Sequence, residues 1–128
     1  MMVLDSSAVV ALLRKEPGAD LVKPELATGL MSSVNYAEVL GRFERDKVGR
    51  GLLLAVQLRN ALQEVVPFGL SHAAHAASLV SHTVQFGLSL GDRCCLALAI
   101  DRKCAVLTAD RIWLQLKLFP PVEIKSIR

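Results

Sequence analysis

The sequence predicts an α/β domain in which a short, mostly parallel central sheet is flanked by helices. Short apolar runs suited to buried strands alternate along the chain with longer stretches of helical character. Serine residues that can cap a helix stand directly after several of these runs. Because parallel strands need crossover helices that cover both faces of a sheet, this alternation favours three layers.

Four strands and five helices are predicted in chain order. The strands cover residues 2–4, 28–31, 105–108 and 122–126. The helices cover residues 8–14, 34 towards 46, 50–65, 71–85 and 90–100. Ser6 or Ser7 is expected to cap the first helix. Ser89 begins a capping box for the last helix, with Asp92 in its first turn.

Composition favours a cytoplasmic protein without membrane spans. The 128 residues include 52% hydrophobic side chains, but no apolar run approaches the ~20 residues that a membrane span needs. The first residues lack the positive charge and long apolar core of a secretory signal, and 3 cysteines suit a reducing compartment better than a disulfide framework. We expect a single domain over residues 1–128, with Cys94, Cys95 and Cys104 as core thiols.

Four acidic residues lie in or beside apolar segments, where an uncompensated carboxylate is costly. They are Asp5, Glu38, Asp92 and Asp110, in the segments VLDSSAVVALL, SVNYAEVL, LSLGDRCCLALAI and VLTADRI. Two follow predicted strands and two occupy early turns of predicted helices, so all four can meet at the carboxyl edge of the sheet, where such folds bind ligands. Converging carboxylates repel one another, and a hard divalent cation is the economical remedy.

Each acid also has a purely structural interpretation. Asp5 can be a helix cap, Asp92 a first-turn acid favoured by the helix dipole, and Asp110 a cap for residues 111–113. Glu38 can be a solvated helix residue, although its apolar neighbours make a wet face less natural. These interpretations stay open for any acid taken singly, whereas the set of four favours a shared site.

Two further polar clusters have less specific meanings. A basic run consists of Arg42, Arg45, Lys47 and Arg50. It alternates with acids, so it fits a solvated helix end at least as well as an RNA path, although the net charge of +3 favours a polyanionic partner such as nucleic acid. His72, His75 and His82 have helical spacing, but no acid or cysteine joins them at ligand spacing, which favours a polar stripe.

Four short motifs in this chain resemble those of a known family. LDSSA, NYAEV, LSLGDRCCLALA and a late LTAD, in this order and at these separations, resemble the PIN domain ribonucleases, and in particular the VapC toxins of bacterial toxin–antitoxin pairs. The resemblance spans essentially the whole chain. It implies a single PIN-like three-layer sandwich, with the four acids in the family's metal-binding positions and Ser6 and Thr108 as polar neighbours that help to order the site.

The chemistry expected of such a site is metal-dependent hydrolysis of RNA. Mg²⁺, with Mn²⁺ as an alternative, prefers oxygen ligands, usually takes one or two carboxylates directly and reaches others through its waters. Asp5 and Asp92 are expected to be the direct ligands, with Glu38 and Asp110 completing the site. One or two ions would orient a phosphodiester and activate a water for in-line attack. Arg93 would neutralise a substrate phosphate at the rim, or is only a surface charge.

The resemblance also implies several partners. These are RNA as the substrate, a second copy of the chain in a homodimer, and an antitoxin that blocks the acidic site, within a larger toxin–antitoxin assembly. Two other classes stay open. A catalytically silent PIN-like module would bind nucleic acid or protein without cleaving it. A receiver-type signalling domain would need an aspartate at the end of a central strand, and the segment TGLM at residues 28–31 offers none.

Overall fold

The computed structural model of the protein describes residues 1–45 and 51–128, and only the backbone of residue 45. Its centre is a sheet of five parallel strands among the described residues. The strands are β1 (Met2–Leu4), β2 (Gly29–Ser32), β3 (Glu64–Val66), β4 (Ala105–Thr108) and β5 (Ile124–Ser126). Their order across the sheet is β3-β2-β1-β4-β5.

Helices connect these strands. The α-helices in the described ranges are α1 (Ser6–Leu13), α2 (Ala19–Val22), α3 (Ser33–Arg45), α4 (Gly51–Ala61), α5 (Leu70–Ser78), α6 (Val80–Thr83) and α7 (Leu90–Arg102). Short 3₁₀ helices cover Lys23–Thr28, Val84–Phe86 and Arg111–Gln115. None of these helices is long and apolar enough to cross a bilayer.

The strand order places β1 at the centre of the sheet. From β1 the chain builds one side through β2 and β3 and the other side through β4 and β5. Met2 lies opposite Gly29 on one side and opposite Ala105 on the other, so β1, β2 and β4 begin in register with one another. The boundary between β1 and β4 is the point where the order reverses, and such points open a crevice at the carboxyl edge of the sheet.

The core occupies both faces of the sheet, because successive strand side chains point to opposite sides. Leu4 and Met31 pack on one face with residues of α1, α3 and α4. Val3 and Leu30 pack on the other face with α7 and with Trp113. Residues 94–99 of α7 are all buried, which explains the continuous apolar segment and confirms Cys94 and Cys95 as core thiols. The predicted α/β class with three layers is confirmed.

Some elements differ from the sequence prediction. β1 and β4 have the predicted bounds, β2 and β5 begin one and two residues later, and β3 was not predicted. The helix expected over 50–65 ends at Ala61, because the last residues of that range pair with β2. The helix expected over 71–85 is divided at Leu79. Of the basic run, Lys47 and Arg50 lie outside the described residues, as does Asp46 at the predicted end of the second helix.

The cap of α1 also differs from the prediction. Asp5 occupies the N-cap position and the helix begins at Ser6. Neither Ser6 nor Ser7 caps it, because both hydroxyl groups hydrogen-bond to carboxylates beside the sheet edge. At α7 the predicted capping box is confirmed: Ser89 Oγ accepts from Asp92 N, and Asp92 Oδ2 accepts from Ser89 N.

Candidate functional site

An open cavity of about 670 Å³ lies at the carboxyl edge of the sheet, between α1, α3, α7 and the end of β4. All four acids selected from the sequence line it: Asp5, Glu38, Asp92 and Asp110. They come from four separate segments of the chain. The topology therefore brings together the residues that the sequence placed at this edge.

Asp5 forms the buried floor of the cavity. Its side chain follows β1 directly, and the residue is only 3% exposed. Oδ2 accepts hydrogen bonds from Ser7 Oγ at 2.5 Å and from Thr108 Oγ1 at 3.0 Å. Burial, together with the nearby charge of Asp92, raises the pKa of Asp5 from 3.8 to about 6, although the hydrogen bonds from Ser7 and Thr108 lower it. Ionised Asp5 thus stands in a poorly solvated place.

The two hydroxyl groups beside Asp5 are themselves fixed by the main chain after β4. Ser7 Oγ accepts from Ala109 N at 2.9 Å, and Thr108 Oγ1 accepts from Asp110 N at 3.0 Å. Because each oxygen receives a main-chain proton, its own proton is directed at Asp5. Thr108 therefore takes the position predicted for it, beside an acid of the site. Ser7 has the same role and was considered from sequence only as a helix cap.

Glu38 extends into the cavity from α3, and two side chains hold its Oε1 atom. Ser6 Oγ and Asn35 Nδ2 each donate to it at 2.8 Å. Asn35 is fully buried, and the same Nδ2 donates to the carbonyl oxygen of Gly91 at 2.9 Å, which ties α3 to the start of α7. A Cβ on Gly91 would lie 2.7 Å from Glu38 Cδ, so this close approach requires a glycine.

Asp92 and Asp110 serve as helix caps and cavity residues at once. Asp110 Oδ1 accepts from Ile112 N at 3.1 Å, which caps the 3₁₀ helix Arg111–Gln115. Burial raises the pKa of Asp92, and the charges of Glu38 and Asp110 raise it further, whereas the hydrogen bonds with Ser89 lower it. The structural and functional interpretations are therefore compatible.

The hydrogen bonds of good geometry leave one oxygen of each carboxylate available. Within the described residues, the oxygens that accept these hydrogen bonds are Oδ2 of Asp5, Oε1 of Glu38, Oδ2 of Asp92 and Oδ1 of Asp110. As the side chains stand, no three His, Cys, Asp or Glu residues among those described converge tightly enough to hold an ion. The remaining oxygens are nevertheless the hard donors that Mg²⁺ and Mn²⁺ accept, and a cation would offset the burial and the repulsion between carboxylates that raise the pKa of Asp5 and Asp92. The residues present fit such an ion.

Of the basic residues considered from the sequence, Arg42 lines the cavity and Arg93 does not. Arg93 Nη1 donates to the carbonyl oxygen of Ala76 at 3.0 Å, and Arg93 is not part of the cavity wall. Its predicted contact with a substrate phosphate stays a prediction. Arg42 and Arg128 line the cavity instead.

Only some of the cavity residues that the sequence analysis missed could have been found from the sequence. Asn35 stands three residues before Glu38, which places the two on one face of a helix. The position of Arg128 depends on the pairing of β5 and had no local signal.

Fold and site together define an α/β protein with an acidic cavity at the switch point of a parallel sheet. The family model described as PIN domain matches residues 2–117. This chain therefore belongs to the PIN domain family, which confirms the resemblance seen in its motifs. No curated protein matches it.

Several solved structures share the fold. The chain is similar to VapBC2 from Rickettsia felis bound to a DNA fragment from their promoter, with a TM-score of 0.75, 17% identity, and coverage of 98% of this chain and 97% of that chain. It is similar to DNA-bound VapBC from Salmonella typhimurium, with a TM-score of 0.74, 18% identity and 100% coverage of both chains. For Mycobacterium tuberculosis VapC20, a Sarcin-Ricin loop cleaving toxin, the TM-score is 0.72 at 15% identity, over 87% of this chain and 91% of that chain. At these identities the likeness concerns the fold.

Proposed function

We propose that this protein is an endoribonuclease that depends on Mg²⁺ or Mn²⁺ and acts as the toxin of a VapBC-type toxin–antitoxin pair. The observation that carries the proposal is the convergence of four carboxylates from separate segments on one open cavity, each with an oxygen left over. Membership of the PIN domain family and the structural likeness to a toxin that cleaves the Sarcin-Ricin loop support RNA as the substrate.

The chain's own residues would divide the work as follows. Asp5 and Asp92 bind the ion directly, and Glu38 and Asp110 bind its waters or a second ion. Thr108 and Ser7 hold the carboxylate of Asp5 in place by donating to Oδ2. A bound divalent cation supplies an activated water and compensation for the charge that develops on the phosphoryl group. The dry floor at Asp5 strengthens each of these electrostatic interactions.

The proposed partners follow from the same likeness. An antitoxin would cover the acidic cavity and hold the protein inactive, and a second copy of the chain would form a homodimer within a larger toxin–antitoxin assembly. The structural relatives that are VapBC complexes support the antitoxin partner. We further propose that residues 1–128 act as a single domain and that the protein works in the cytoplasm.

The decisive experiment incubates the purified protein with total RNA in Mg²⁺, in Mn²⁺ and in excess chelator. We expect fragments only when a divalent ion is present. Asp5→Asn and Asp92→Asn should abolish the fragments, whereas Asp20→Asn, an exposed aspartate on α2, should leave them unchanged.

Cleavage that persists in chelator or in both site variants would show that the acids do not carry the reaction. Complete absence of cleavage by a protein that still binds RNA would instead favour the catalytically silent PIN-like module.

A further inference from the structure

Two arginines stand at the mouth of a cavity whose floor is acidic. The four acids of the floor, Asp5, Glu38, Asp92 and Asp110, carry four negative charges when all are ionised, and among the described residues the cations that line the cavity are the guanidinium groups of Arg42 and Arg128. A single divalent cation does not neutralise these four charges. A nucleic-acid strand, with one negative charge per phosphate, therefore needs further cations along its path to approach this floor.

Arg128 is held in place by several contacts with the loop after α1. Its Nη2 lies 3.2 Å from Glu16 Oε1, and its Nε donates to the carbonyl oxygen of Pro17 at 3.3 Å. The preceding residue is anchored too, because Ile127 N donates to Thr108 O at 3.0 Å, and a Cβ on Gly18 would lie 2.8 Å from Ile127 Cβ. Within the described residues Nη1 of Arg128 makes no hydrogen bond. A fixed guanidinium with an unused edge is well suited to a phosphate.

Arg42 reaches the cavity from α3. It lies one turn after Glu38 on α3, is exposed, and makes no hydrogen bond or ion pair with a residue that the structure describes. The helix α3 follows β2, whereas Arg128 follows β5. In the sheet, β1 and β4 lie between β2 and β5. The two arginines therefore follow strands that flank β1 and β4, the strands that lead to Asp5 and Asp110.

We propose that Arg42 and Arg128 form a phosphate clamp that binds the backbone of single-stranded RNA on both sides of the phosphate placed over the acids. The identity of the strand rests on the proposed function. Glu16 is a positioning residue that orients Arg128 and does not contact the RNA. The clamp offsets the negative floor only for strands that carry phosphates beyond the scissile one.

The binding test uses a labelled RNA of about ten nucleotides on an Asp92→Asn background, so that the strand stays intact. We expect Arg42→Ala and Arg128→Ala each to weaken binding about tenfold at low salt and to lower the slope of log K against log salt by about 0.7, the value for one phosphate contact on a single strand. Arg59→Ala removes an exposed arginine of α4 that does not line the cavity, and it should change binding less than about twofold.

The cleavage test compares that RNA with a dinucleotide, which has one phosphodiester and no flanking phosphates. Each arginine variant should lower kcat/KM about tenfold on the longer RNA and less than about twofold on the dinucleotide. Arg128→Lys, which keeps the charge but loses the forked geometry, should recover part of the loss, and Glu16→Gln should reproduce part of it.

Several outcomes would overturn the clamp. Equal losses on both substrates would mean that the arginines act on the scissile phosphate or on the fold. Unchanged binding and an unchanged salt slope would mean that this rim serves another partner, such as an acidic segment of a protein. If the wild-type protein cleaves neither substrate, the nuclease proposal fails, while the binding measurement still decides whether the clamp exists.

Discussion

The two edges of the parallel sheet differ in whether their acidic residues have cationic or protonatable partners. At the amino edge, two acids each have a cationic or protonatable partner: Asp101 Oδ2 lies 3.2 Å from His72 Nε2 and 3.9 Å from Arg102 Nε, and Glu64 Oε2 lies 3.3 Å from Arg102 Nη2. At the carboxyl edge the acids face one another. Asp101 and Glu64 are compensated by the protein itself, whereas no cationic side chain among the described residues pairs with Asp5, Glu38, Asp92 or Asp110.

One helix connects the two situations. α7 carries Asp92 in its first turn and Asp101 in its last turn, so the same residue type occurs at both ends of a single buried element. The sequence interpretation of His72 as part of a polar stripe was wrong, because His72 is 6% exposed and contacts Asp101. Partners that are distant or adjacent in sequence, His72 and Arg102, therefore distinguish Asp101 from Asp92.

The largest expected effect compares those two aspartates in catalysis. Asp92→Asn should lower metal-dependent RNA cleavage about 100-fold or more, because it removes a charge that the reaction needs at the cavity. Asp101→Asn should change the rate less than about threefold. Initial rates on one labelled RNA measure both. Similar losses in the two variants would mean that α7 tolerates no change at either end, and the contrast between the edges would disappear.

The second effect is on the free energy of unfolding in excess chelator. Replacing an aspartate by asparagine should raise it at the carboxyl edge and lower it at the amino edge. Because the pKa of Asp5 is raised from 3.8 to about 6 in the folded state, its stabilising contribution is complete below pH 3.8 and is lost as pH rises through 6. By pH 8 the charged form costs about 3 kcal/mol of unfolding free energy. Asp5→Asn should therefore stabilise the protein at pH 8 and have little effect at pH 4.

Asp101→Asn supplies the matched comparison for that experiment. It removes the charge that faces Arg102 and one carboxylate oxygen that contacts His72, so it should destabilise the protein by about 1 kcal/mol. Urea unfolding at both pH values measures the two changes. Destabilisation by Asp5→Asn at pH 8 would show that its hydrogen bonds to Ser7 and Thr108 outweigh the burial of its charge.

The third effect is stabilisation by metal. An ion that binds only the folded protein raises the free energy of unfolding by about 2.7 kcal/mol at 100 times its Kd. We expect Mg²⁺ or Mn²⁺ to raise the Tm of the wild-type protein and of Asp101→Asn, but not that of Asp5→Asn or Asp92→Asn. An equal rise in all four proteins would place the ion somewhere other than the acidic cavity.

The smallest effect concerns the glycine before Asp92. Gly91→Ala would place a methyl group against the Glu38 carboxylate, so Glu38 must leave its position beside Asn35. We expect cleavage to fall about tenfold with the protein still folded. Gly69→Ala adds a methyl group with nothing within 4 Å, and its cleavage rate should match the wild type. A Gly91→Ala enzyme of full activity would show that the placement of Glu38 is not required.

The strands that precede the acids could be predicted from the sequence more accurately than the other strands. β1 and β4 are short apolar runs with polar residues directly after them, so their bounds and the residues at their ends were both readable. β3 is a three-residue strand at the end of an amphipathic segment, and its pairing with β2 rather than local pattern makes it a strand. Helix periodicity therefore extended the prediction too far.

The groups that support the acids were harder to find than the acids. A carboxylate in an apolar segment is conspicuous, because burying charge is costly. Ser7, Asn35 and Arg128 are unremarkable in sequence, and their roles arise from contacts with β4, α7 and the loop after α1. Arg93 follows Asp92 directly, but adjacent residues on a helix point in different directions, and Arg93 donates to the carbonyl oxygen of Ala76.

The docking of Arg128 also matters for how the protein should be produced. Any chain fused after Arg128 would leave the molecule at the entrance of the cavity, where a histidine-rich purification tag could capture the added ions or obstruct RNA. Met1 is 60% exposed and precedes β1 at the amino edge. A removable tag joined there keeps the entrance clear, so assays should use that design.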